Sequence, residues 1–111
     1  MTYDDLSPAQ LSALERMLNE AVQIWDWESS TLYGLSQEEV EKIVGEWPTC
    51  FDGNEFHTAL AVNNVCADFL GGSNTIQPAL FPFFFGATYC EIESIFNHLR
   101  PRLKAIIHQH P

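Results

Sequence analysis

The side chains in this sequence that could do chemistry are Cys50, Cys66 and Cys90, the histidines at 57, 98, 108 and 110, and fifteen carboxylates. A cysteine nucleophile needs a base within hydrogen-bond reach. Cys90 falls in the first turn of an expected helix, where exposed amides lower a thiol's pKa, and His57 or His98 would be the base. Glu55, Asp68, Glu91 and Glu93 are the acid–base candidates, although Glu55 and Glu91 stand at helix-capping positions and Glu91 and Glu93 do not share a helix face. Zinc would have to be held by Cys50 with His57 or by Cys66 with Cys90, because CxxC, HExxH and other paired-ligand spacings are lacking. His108-Gln109-His110 is a weak two-ligand tail. No GxGxxG, Walker-type loop, calcium loop or GxSxG elbow occurs. A small enzyme or ligand-binding domain using His57, Cys90 or His98 is therefore an alternative reading, and no metal or cofactor is expected.

Charge points elsewhere. Residues 1–99 contain all fifteen acidic side chains against Arg16 and Lys42, while residues 100–111 contain Arg100, Arg102 and Lys104 and no acid, for a net charge of −10. Such a field disfavours nucleic acid and anionic membrane as direct partners and favours basic proteins or cations. The hydrophobic content of 46% argues for a folded chain, and 111 residues fit one domain, 1–111. Met1 to Asp5 has neither a basic start nor an apolar run, so the cysteines read as reduced and the protein as cytoplasmic.

Four helices must position these groups. Ser7 caps the first, with Pro8 in its first turn and Gln10 completing a capping box. Leu11, Leu14, Leu18, Ala21 and Trp25 give it an apolar face, and it is expected to fade between Trp27 and Ser30, where serine and threonine favour turns. Ser36 and Glu39 open the second, which runs to Trp47 and is stopped by Pro48. The third is expected from Asp52, with Glu55 three residues on, to about Leu70, and Asn63 and Asn64 in its apolar background need hydrogen-bond partners. The fourth opens on Thr88 and Glu91 and should kink or restart at Pro101.

Between the last two helices lies an uncharged connection holding Phe81, Phe83, Phe84 and Phe85. Pro78 and Pro82 deny it a regular helix interior, so an extended loop with at most one helical turn is expected. It reads chiefly as a plug closing one end of the core, with partner or dimer contact and ligand pocket as alternatives.

The fold expected from this pattern is all-α, a compact bundle of about four helices with a long apolar loop before a kinked C-terminal helix. The function expected is non-enzymatic: an acidic protein-binding inhibitor that neutralises a basic partner such as a nuclease toxin or another nucleic-acid-handling enzyme. The contact residues are Trp27, Glu28, Tyr33, Glu38, Glu39, Glu41, Glu46 and Asp52. A structural homodimer is a further alternative.

Overall fold

Three reciprocal capping boxes set the frame of the computed structural model, which describes residues 6–48, 55–71 and 76–109. Ser7 starts α1 (Pro8–Gln23), Ser36 starts α3 (Gln37–Gly45) and Thr88 starts α6 (Tyr89–His108). In each, the cap hydroxyl accepts the backbone N–H of the third helical residue, whose side chain accepts the cap's own N–H. The backbone N–H bond from Ser36 holds the Glu39 carboxyl below its ordinary pKa, and the bond from Thr88 does the same for Glu91. The stability these two caps add is present above the usual carboxylate range and fades as pH falls through the lowered values.

Among the described residues the chain forms six α-helices, not about four. The longest central element, α4 (Glu55–Gly71), is as expected from Glu55 onward, and its proposed cap at Asp52 lies outside the described residues. The two additional helices have five residues each: α2 (Ser29–Tyr33) and α5 (Phe81–Phe85). The first helix ends at Gln23, before the stretch where it was expected to fade, and the serines of that stretch go into α2 instead. Likewise the expected loop before α6 contains a 3-10 turn at Pro78–Leu80 that leads directly into α5. Pro82 is accommodated because it stands in the first turn of α5, where its missing N–H has no helical partner to lose.

Both short helices end alike. Gly34 and Gly86 take positive φ, 73° and 72°, and each donates its N–H back into the final turn, to Ser30 and Pro82. Only glycine enters this region without steric cost. The residue before each glycine, Tyr33 or Phe85, is an aromatic buried in the core.

One hydrophobic cluster joins the helices. It takes Leu14, Met17 and Leu18 from α1, Val40 and Ile43 from α3, Val62, Val65 and Phe69 from α4, and Ile92, Leu99 and Leu103 from α6. The main packing is α4 against α6, while α1 lies against α3, α4 and α5. Phe81 and Phe85 complete the core from α5, edge to face at 5.1 Å, with Phe85 also stacked on Phe69 at 5.8 Å. Each buried ring contributes about 1.5–3 kcal/mol over leaving it exposed. The plug reading thus holds for these two rings and fails for Phe83, which is 81% exposed. The Cα radius of gyration is 12.8 Å, close to the roughly 13 Å of a compact chain near this length.

Of the kink or restart expected at Pro101, the restart does not occur: α6 runs through it as one helix. Pro101 cannot donate to the Asn97 carbonyl. Both residues face solvent, so water can satisfy that carbonyl. No helix of the described residues is long and apolar enough to cross a membrane.

The two kinds of glycine predict opposite mutational signs. Gly86→Ala should destabilise the protein by about 1 kcal/mol through the left-handed backbone, and its Cβ would sit 3.0 Å from the Arg16 guanidinium. Gly45→Ala meets no atom within 4 Å and should stabilise by about 0.5 kcal/mol by restricting the unfolded chain. Urea unfolding of both variants checks this, and equal effects of the same sign would contradict it.

Candidate functional site

The site begins with the chain reversal that follows α1. Asp26 and Ser29 bind each other reciprocally: the Asp26 N–H donates to Ser29 Oγ at 3.0 Å, and the Ser29 hydroxyl donates to Asp26 Oδ1 at 3.1 Å. The same Oδ1 accepts the Glu28 N–H at 2.9 Å, and the Ser29 N–H donates to the Asp26 carbonyl. Short polar side chains favour such local closure of the backbone. Trp27 stands at the tip, between two residues held by these bonds, and is 86% exposed. Glu28, Ile24 and Leu32, close to it in sequence, are exposed too.

A partly buried column stands behind this turn. Tyr33, the last residue of α2, is 3% exposed and packs on Trp25 at 5.6 Å between ring centres. From α4, Asp68 accepts the Tyr33 hydroxyl through Oδ2 at 2.8 Å, and Asn64 donates from Nδ2 to the Tyr33 carbonyl at 2.8 Å. Asn64 and Asp68 are four apart and so share one face of α4. The side chain of Asn63 donates in turn to Asn64 Oδ1 at 3.1 Å. Burial, then the hydrogen bond and charge of Asp68, and then the charge of Asp26 push the Tyr33 phenol well above its ordinary pKa.

The expected contact residues divide accordingly. Trp27, Glu28, Glu38, Glu41 and Glu46 are exposed. Glu38 and Glu41, three apart on α3, point to one side, and the Gln37 amide donating to the Val22 carbonyl at 3.2 Å sets the first turn of α3 against the last turn of α1. Glu39 turns to its cap and to His57, whose Nδ1 is 3.5 Å from Glu39 Oε2. Tyr33 is corrected from contact residue to internal support, because a ring this buried has no surface for a partner to touch. Asp52 lies outside the described residues. Ile24, Leu32 and the Asp26–Ser29 closure were missed, though an aspartate three residues before a serine was a readable signal for the closure.

The groups with chemical capacity are dispersed. Cys90 lines a cavity of about 370 Å³ between the start of α1 and α6, together with Gln10, Ser94 and Ile95. A smaller cavity of about 260 Å³ shares those three residues and adds His98. Cys90 and His98 are eight positions apart on one helix, a rise of about 12 Å, so the thiol and the imidazole do not meet. His57 is engaged with Glu39 on α3. Cys66 is buried, and desolvation pushes its thiol up to about 12. The proposed zinc partner Cys50 is outside the described residues, and among those described no group of three or more His, Cys, Asp and Glu side chains is placed to hold a metal ion. No protein-family model, curated protein or solved structure matches this chain.

Tyr33 supplies the pH signature of this site. Because its folded pKa is raised, its stabilisation is fully present below the unfolded value near pH 10 and is lost as pH rises from there towards the folded value. Tyr33→Phe should cost about 1 kcal/mol at neutral pH and flatten the alkaline decline seen in denaturant unfolding between pH 9 and 11, about one unit either side of the free phenol value. An unchanged alkaline slope would remove Tyr33 from this role.

Proposed function

We propose that this protein is a non-enzymatic binder of a basic protein, an inhibitor that covers the positively charged surface of a nuclease or another nucleic-acid-handling enzyme. The observation that carries the proposal is Trp27, 86% exposed on a turn closed by its own hydrogen bonds and flanked by acidic residues. A turn backbone closed in this way loses little freedom on binding, and tryptophan is among the residue types enriched at the energetic centres of interfaces.

Glu28, next to Trp27 in sequence, and the exposed Glu38, Glu41 and Glu46 of the α3 region provide the field. The whole chain carries −10, which accelerates encounter with a cationic surface and repels polyanions. In this division of work, charge sets the association rate and Trp27, with Ile24 and Leu32, sets the lifetime. Glu39 contributes its charge to the field but stays bonded to Ser36 and His57. A basic enzyme cleft is a fitting target because it is built to hold polyanions and presents a concentration of Lys and Arg.

The test is capture from the source cell, using the purified protein as bait and the charge-reversed double variant E38K/E41K and the Trp27→Ala variant as parallel baits. A basic protein should be retained by the wild type. With that partner, the double reversal should slow association about tenfold at low salt, and Trp27→Ala should speed dissociation about tenfold or more. Capture of no specific protein, or kinetics indifferent to both variants, would refute the proposal.

A further inference from the structure

Two exposed carboxylates flank Trp27 in sequence, and neither is answered by a cation of this chain. Asp26 engages Oδ1 with the Glu28 N–H at 2.9 Å and the Ser29 hydroxyl at 3.1 Å. Its Oδ2 accepts no hydrogen bond from the described residues, and the Glu28 carboxylate makes none with them. Among the described residues no ion pair involves Asp26 or Glu28, and no Lys, Arg or His occurs between Arg16 and Lys42. Glu28 precedes the first turn of α2, and its carbonyl accepts the Leu32 N–H at 3.0 Å. Glu28 and the exposed Leu32 therefore stand one helical turn apart on one side of α2.

We infer that Trp27 receives an arginine of the basic partner, with the guanidinium plane on the indole and its N–H donors directed to the carboxylates of Asp26 and Glu28. The inference rests on the assignment of this turn to contact with a basic protein, and it names the side chain that the turn takes. Consecutive Cα atoms are about 3.8 Å apart, so both carboxylates spring from positions beside the indole. A guanidinium is planar and weakly hydrated, and it stacks on an aromatic face while its edge still donates to carboxylates. Glu28, with both oxygens free of bonds to the described residues, can accept that edge through two of them. The ammonium of lysine is compact and strongly hydrated, so the indole offers it less. An apolar pocket is the poorer occupant, because closing over Trp27 would also strip water from two carboxylates without replacing it.

The test needs no identified partner. Two blocked peptides of equal length and charge, alternating glycine with arginine or glycine with lysine, are titrated into the full chain at about 20 mM sodium chloride, where screening is weak. The arginine peptide should bind about two- to fivefold more tightly than the lysine peptide, the margin of an exposed cation–π contact, and should displace the indole N–H resonance of Trp27. Trp27→Leu should abolish the preference and leave both peptides at the lysine affinity. Asp26→Asn keeps the Oδ1 acceptor that closes the turn but removes the charge, and it should narrow the preference. Glu38→Gln, which removes a charge from α3 instead, should weaken both peptides by the same factor. Circular dichroism confirms that each variant is folded. Equal affinities for the two peptides, a preference that survives Trp27→Leu, or no binding of either up to about 10 mM overturns the inference. That failure would leave capture of a basic protein standing, whereas failed capture with the arginine preference intact would remove the inhibitor role and keep the arginine site.

Discussion

The hold of α4 on Tyr33 is the interaction on which the α2 end of this molecule depends. A helix of five residues cannot stand alone in water, because the cost of nucleation is not recovered over so short a length. Asn64 binds the terminal carbonyl of α2 and Asp68 its terminal hydroxyl, so one face of a long helix fixes both the backbone and the side chain of the short one. The carbonyl would otherwise be one of the unpaired acceptors at a helix end. Trp25 packs on the ring that is thus held. The turn beyond, closed by Asp26 and Ser29, leaves Trp27 outside on a supported base.

The same construction appears at the other short helix with a different outcome. In α5, burial of Phe81 and Phe85 replaces the polar clamp, and the exposed aromatic is Phe83. Trp27, in the turn before α2, and Phe83, in α5, are both exposed apolar side chains, but Trp27 is bordered in sequence by Asp26 and Glu28, whereas Phe83 lies in a stretch of sequence without charge.

The long helices were legible because their signals are local. Each capping box spans four residues, and the apolar spacing of α1, α4 and α6 is repeated over several turns. The short helices were not legible, because what holds them comes from afar: Tyr33 and Asp68 are 35 residues apart. Ser29-Ser30-Thr31 reads as a turn on propensity, and Pro82 reads as a breaker until its place in a first turn is known. The same distance explains the site. Exposed glutamates on α3 follow from its apolar face, which fixes the opposite side. That Glu39 would be drawn to His57 and that Tyr33 would be internal depends on where α4 lies, and no spacing within either segment carries that information.

Hydrogen–deuterium exchange of this protein, alone and with a basic protein retained in the capture experiment, tests recognition through the clamped turn most directly. Bound, residues 24–32 and 37–46 should gain protection while residues 80–84 keep the exchange they show alone. Protection confined to α5 and α6, with the Trp27 turn exchanging as in the free protein, would contradict the account.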